Sequence, residues 1–161
     1  MTSRVIAAGW WMRDSSLKPQ EPDPLTQPLS DPVDIVRAFL SRMEILDHDG
    51  AAPLLAADVA YINPPPIGAV RGPAGVRAVL EPFFAPTLEN EFRVLRQAAD
   101  GPRVLVERLD RHRLADRWVE LPVTGVFEVH DGRITYWRDY FDAATILTQW
   151  PSAQAGGETG A

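Results

Sequence analysis

Arg103-Val-Leu-Val-Glu-Arg-Leu-Asp-Arg-His-Arg113, then Arg117-Trp-Val-Glu-Leu-Pro-Val-Thr-Gly-Val-Phe-Glu-Val129, then Arg133-Ile-Thr-Tyr-Trp-Arg-Asp-Tyr-Phe141 is the stretch on which the fold turns. Apolar and polar residues alternate along all three segments, the period of half-buried strands. Asp131-Gly132 separates the last two segments. Asp100-Gly101 stands before the first, where it closes a hairpin with a further strand over Glu91 to Ala98. Both dipeptides suit tight hairpin turns, and Leu114 to Asp116 is a weaker one. Four strands in succession therefore make an antiparallel meander.

Upstream the period changes. Asp31 is a good N-cap with Pro32 at the first helical position and Asp34 in the first turn. Ile35, Val36, Phe39, Leu40, Met43 and Leu46 recur at helical spacing, and Gly50 is expected to stop that run. A short second helix is expected over Ala51 to Ala57. A strand follows over Val59 to Asn63, cut off by Pro64, Pro65 and Pro66. A third helix runs over Pro73 to Phe84, kinked or ended near Pro82. Helices first and a meander afterwards predict an α+β fold, a curved sheet wrapped on helices. One domain is expected over 31–150. Residues 1–30, rich in Pro, Gln, Ser and Asp, predict a flexible arm in which Trp10 and Trp11 are the candidates for docking; 151–161 predict a disordered tail.

The chain has 161 residues, 45% of them hydrophobic and 24% charged, so it can bury a core and a small-molecule pocket. A net charge of −6 argues against nucleic acid as the main partner, which would ask for a basic stripe. There is no cysteine, which removes disulfides, thiolate nucleophiles and cysteine-ligated metals. No apolar run approaches the roughly 18 residues that span a bilayer, and Met1 to Trp11 does not read as a secretory leader. A cytoplasmic protein is expected.

Three strands carry polar residues on an otherwise apolar face. Residues i and i+2 of a strand share a face, so Val104 and Val106 lead into Arg108 and Asp110. Likewise Trp137, Asp139 and Phe141 stand together, and Val59 shares a face with Tyr61 and Asn63. Unpaired charge is costly to bury, and the simplest closed set has Arg108 bridging Asp110 and Asp139, with Tyr61 and Asn63 nearby. Spacing alone leaves other readings open. Arg108 and Asp110 also fit a surface ion pair, Asp139 a strand-end carboxylate, and Tyr61 with Asn63 turn chemistry.

Tyr61-Ile62-Asn63, Glu107-Arg108-Leu109-Asp110 and the run from Gly125-Val126-Phe127-Glu128 through Asp131-Gly132 to Trp137-Arg138-Asp139-Tyr140-Phe141-Asp142 resemble the limonene-1,2-epoxide hydrolase family. The resemblance covers roughly residues 32 to 145 and keeps the order of all three segments. It implies a cone-shaped fold like nuclear transport factor 2, with a strongly curved mixed sheet on three to four helices of the N-terminal half. It also implies a homodimer, no metal or organic cofactor, and a small epoxide, cyclic or terpene-like, as substrate. The family's catalytic Asp-Arg-Asp set matches Asp110, Arg108 and Asp139, and its water-positioning pair matches Tyr61 and Asn63. The implied roles are Asp139 as general base, Asp110 as protonated general acid and Arg108 as the bridge, with one-step water attack and no covalent ester.

Facing and resemblance together make Phe83, Val106, His112, Leu121, Val123, Trp137 and Phe141 candidates for the substrate-binding wall. His112 departs from the apolar residue expected there. It either polarises the pocket or marks where the strand leaves it, and the second reading is preferred. His48 and His130 read as a helix end and a turn, and no metal-ligand set stands out. The same fold hosts ketosteroid isomerase-like and polyketide cyclase-like enzymes and non-catalytic binding modules, so fold does not choose among them. The Asp-Arg-Asp bridge argues for the hydrolase.

Overall fold

A computed structural model of the chain describes residues 30–66 and 68–151. The arm carrying Trp10 and Trp11, like the tail from residue 152, lies outside the described residues. Helix α1 spans Pro32–Glu44 and is capped as its sequence requires: the Asp31 carboxylate accepts the Val33 N–H at 2.8 Å. Ile35, Val36, Phe39, Leu40 and Met43 form its buried stripe. The helix stops earlier than expected, because Leu46 takes a left-handed φ of 59°. Gly50 then sits inside a second short helix, α2 (His48–Ala51), which Asp47 caps by accepting the Gly50 N–H at 2.8 Å.

The helix expected over Ala51 to Ala57 is thus displaced toward the N-terminus. Pro53 falls in a single 3-10 turn (Ala52–Leu54), and strand β1 already begins at Leu55, running Leu55–Ile62. A short strand β2 (Ala69–Arg71), not foreseen from the sequence, pairs antiparallel with β1. Helix α3 covers Gly72–Phe84 and continues through Pro82 rather than ending there. Pro82 lies in the last turn, where the ring disturbs little of the backbone ladder.

The meander follows as β3 (Glu89–Asp100), β4 (Arg103–Arg113), β5 (Trp118–His130) and β6 (Arg133–Tyr140). Asp131 and Gly132 both adopt positive φ, 50° and 73°, as a two-residue hairpin turn of the primed type demands. A last helix, α4 (Ala143–Gln149), capped by Asp142, was not legible in the sequence. One helix therefore lies C-terminal to the sheet, and the other three lie in the N-terminal half.

The six strands form one open sheet in the order β2-β1-β6-β5-β4-β3. Every pairing is antiparallel except β1 with β6, which run parallel and make the sheet mixed. The register slips in the β3–β4 ladder between Val94 and Arg96 and in the β5–β6 ladder between Glu128 and Val129, irregularities that sharpen the bend of a sheet. On the concave side, α1 and α3 close over Val59, Val104, Val106, Phe127, Ile134 and Trp137 to form the main core. A second small cluster of Leu114, Val119 and Trp150 plugs the far end of β4 and β5. No helix among the described residues is long and apolar enough to cross a membrane.

Candidate active site

Alternation along β4 puts Val104, Val106, Arg108, Asp110 and His112 on the concave face, all at most 5% exposed. Beside β4 lies β5, and beside β5 lies β6, so Asp139 is two strands away from Arg108. The gap is crossed at Gly125, whose Cα partners are Val106 on β4 and Asp139 on β6. With no side chain at Gly125, the guanidinium reaches over β5. A Cβ there would stand 2.6 Å from Arg108 Nη1, 2.7 Å from Phe127 Cε2 and 3.1 Å from Asp139 Oδ1. This requirement was not drawn from the sequence, although glycine inside a strand often signals such a close approach. Gly125→Ala should therefore lower both the melting temperature and kcat/KM, the latter by about tenfold or more, since small displacements of groups lining a reactive pocket cost far more than their contact energy. Thermal unfolding beside a turnover assay checks this, and unchanged turnover would refute the spacing argument.

Arg108 is the hub. Its Nε donates to Asp110 Oδ1 at 2.8 Å and Oδ2 at 3.1 Å. Its Nη1 and Nη2 donate to Asp139 Oδ1 at 3.2 Å and Oδ2 at 3.0 Å, a two-pronged grip on the second carboxylate. Asp139 also accepts the indole N–H of Trp137 on Oδ1 at 2.9 Å. Oδ1 thus takes two donors and Oδ2 only one, which leaves Oδ2 the freer lone pair. Trp137, a wall candidate by its facing, is also what orients this carboxylate.

Electrostatics separate the two acids. Burial pushes the Asp110 carboxyl up to about 6; Arg108 pulls it down and the charge of Asp139 adds to the rise. Burial disfavours the charge on Arg108, but Asp139 and Asp110 more than offset that and raise its pKa, so the cation is permanent. Burial and then the Asp139 charge hold the Tyr61 phenol well above its ordinary range, so it stays a hydroxyl.

Tyr61 and Asn63 arrive through the parallel pairing of β1 with β6, in which Tyr61 lies opposite Trp137 and stacks on it at 3.8 Å between ring centroids. Asn63 Nδ2 is buried and has no hydrogen-bond partner among the described residues. An amide donor left so costs about 1–3 kcal/mol, and Asn63 is one of the residues lining the pocket.

The pocket opens between α1, α3 and the sheet. Tyr61, Asn63, Arg108, Asp110 and Asp139 all line it, as do Phe83, His112, Leu121, Val123, Trp137 and Phe141 from the expected wall. Val106 is the exception: it is 1% exposed and packs in the core beneath Arg108, off the pocket surface. Leu40, Met43, Val79, Leu80, Phe84 and Phe92 complete the lining from α1, α3 and β3 and were not singled out from the sequence. The preferred reading of His112 is also corrected. β4 does not leave the pocket at Asp110, because α3 and Trp150 extend the cover past it; Trp150 stacks on Phe83 at 4.3 Å and its indole N–H donates to the Phe83 carbonyl at 2.9 Å. Among the described residues no cluster of three His, Asp or Glu offers a metal site.

Solved structures place this architecture among nuclear transport factor 2-like proteins. One such protein, of unknown function, from Burkholderia pseudomallei superposes with a TM-score of 0.67 at 22% identity, over 74% of this chain and 97% of that one, which speaks to fold alone. Residues 30–152 match the family described as the limonene-1,2-epoxide hydrolase catalytic domain, and the chain belongs to that family. It is similar to the epoxide hydrolase EphG of Mycobacterium tuberculosis, 41% identical over 108 residues that cover 66% of this chain and 70% of the relative. The structure of an LEH-like epoxide hydrolase from M. tuberculosis matches with a TM-score of 0.63 at 35% identity, over 73% of this chain and 86% of that one. The chain is thus a hydrolase acting on epoxides.

Proposed function

We propose that the enzyme adds water to a small cyclic or terpene-like epoxide in one step, yielding a vicinal diol through Asp139, Arg108 and Asp110. The observation that carries this reading is the single buried guanidinium donating to both carboxylates inside an apolar pocket. Two carboxylates with one cation between them favour a state in which one is ionised and the other protonated, so identical side chains become base and acid. Asp110, pushed up to about 6, is the acid. Asp139, with its freer Oδ2, is the base.

In the reaction, Oδ2 of Asp139 takes a proton from a water that Tyr61 and Asn63 also hold. The water oxygen bonds to one epoxide carbon while that carbon's bond to oxygen breaks. Asp110 delivers its proton to the departing oxygen. The products are the diol, a protonated Asp139 and an ionised Asp110. One proton must return from Asp139 to Asp110 before the next turnover, along the carboxylates that Arg108 holds together. Direct attack by water is supported by the two-pronged grip on Asp139, which ties its oxygens to Arg108 and Trp137 and makes it a poor nucleophile toward carbon. The apolar wall of Leu40, Met43, Phe83, Leu121 and Val123 suits a hydrocarbon ring.

Asp110 must carry its proton to act, and its protonated fraction falls as pH rises through about 6. The plot of log kcat/KM for diol formation from cyclohexene oxide should therefore bend downward above that point and fall with a slope of about −1 per pH unit. A profile that stays level from about pH 5 to 9 would remove Asp110 as the acid.

A further inference from the structure

Of the polar side chains lining the pocket, only His112 has no part in the reaction above. It is 1% exposed, and aromatic rings of Phe83, Phe84, Phe92 and Trp150 surround it at centroid distances of 5.2 to 6.1 Å. Among the described residues its one hydrogen bond joins Nδ1 to Asn90 Oδ1 at 2.8 Å. The direction of that bond follows from a short chain of donors that ends on the backbone. The Phe84 carbonyl can only accept, so the Thr87 hydroxyl, 2.7 Å away, donates to it. Thr87 Oγ1 is then free to accept from Asn90 Nδ2 at 3.4 Å. This sets the Asn90 amide with its oxygen toward His112, and an amide oxygen only accepts. Nδ1 therefore carries the ring proton, and Nε2 is a bare lone pair. Burial, followed by the nearby Arg108 charge, pushes the imidazole down to about 4, so the ring is neutral at neutral pH and keeps this arrangement.

His112 follows Asp110 by two residues on β4 and stands on the same face, roughly 7 Å farther along the strand. A substrate that lies along β4 with its epoxide oxygen at Asp110 brings its far end beside His112, which lines the same pocket. A hydrocarbon packed there would leave a buried acceptor unpaired; a hydroxyl would satisfy it. We propose that His112 Nε2 accepts a hydrogen bond from a hydroxyl on the substrate, several bonds from the epoxide, so that the enzyme selects oxygenated cyclic epoxides over hydrocarbon ones. The inference rests on the epoxide reading of the pocket and names a feature of the substrate within it.

The test compares two probes, a cyclohexene oxide bearing a hydroxymethyl arm opposite the epoxide and its ethyl counterpart, on wild type and His112→Leu. Wild type should favour the hydroxymethyl epoxide. In His112→Leu the kcat/KM preference for the hydroxymethyl over the ethyl epoxide should fall about tenfold, the worth of one hydrogen bond whose partner is buried. Equal changes on both, or none on either, would overturn the proposal. His112→Gln, which restores an acceptor, should recover part of the preference. Nitrogen–proton correlation spectra of protein with isotopically labelled histidine give a readout independent of turnover. Nδ1 should bear the proton, and the Nε2 signal should move on adding the hydroxymethyl diol but not the ethyl diol; a proton on Nε2 would also overturn it. If wild type opens neither probe, it is the reading of the substrate class that fails, and the spectra still decide the role of His112.

Discussion

Asp139→Asn leaves a folded protein whose diol formation falls by about a thousandfold or more, within the range that removal of a general base commands. The loss is larger than that of one group. Without the Asp139 charge, the negative potential that helps raise the Asp110 carboxyl disappears while Arg108 still pulls it down. Asp110 then ionises at lower pH than the wild-type value of about 6, so the proposed acid is depleted further along with the base. The amide is nearly the same size as the carboxylate and its oxygen still accepts from Arg108 or Trp137, so the core is not reopened. Product analysis beside circular dichroism and a thermal melt checks the outcome. Retention of more than a tenth of wild-type turnover in a folded variant would show that another group takes the proton.

The second large effect falls on stability. Arg108→Met removes the one cation from between two carboxylates that are each about 5% exposed. Breaking a buried ion pair by deleting one partner costs about 3–5 kcal/mol, because charge remains without compensation. Asp110, already raised by burial, loses the Arg108 charge that pulled it down, so its folded-state pKa rises further above the unfolded one. The sign follows: the folded state binds more protons than the unfolded state through the interval between those values, so stability falls as pH rises through it. Urea unfolding of Arg108→Met should show a lower midpoint than wild type at pH 8 and partial recovery at pH 5. Replacing Asp110 and Asp139 by Asn in the same background should flatten that pH dependence. A variant as stable as wild type at pH 8 would mean that the carboxylates reach solvent, contrary to their burial.

What the sequence made legible was which residues share a face. Alternation along β4 put Arg108 and Asp110 behind Val104 and Val106, and the same period placed Asp139 beside Trp137; Asp100-Gly101 and Asp131-Gly132 marked the hairpins. Periodicity does not say which strand lies next to which. The pairing that brings Tyr61 against Trp137 is parallel and joins distant parts of the chain; a face shared with Val59 made Tyr61 and Asn63 candidates for the polar set, and the resemblance gave them a role. The role of Gly125 depends on a guanidinium reaching across it from a neighbouring strand, and no local signal encodes that. His112 was misjudged for a similar reason: where the pocket ends is decided by α3 and by Trp150, which follows a short helix that the sequence did not reveal. Gly50 misled because a glycine after a helical run commonly ends it, whereas here Leu46 takes the left-handed turn and Asp47 starts a new cap.

The parallel seam between β1 and β6 also orders events in time. Hairpins between consecutive strands of the meander close short loops and can form early, whereas β1 must wait for β6, the last strand to be made, before it has a neighbour on that side. Through that interval a chain holds Arg108, Asp110 and Asp139 in register without Tyr61 and Asn63 beside them. The sheet is then missing two of its strands, and the edge of β6 is open to pairing with another chain. Completion of the pocket and closure of that edge are therefore one event.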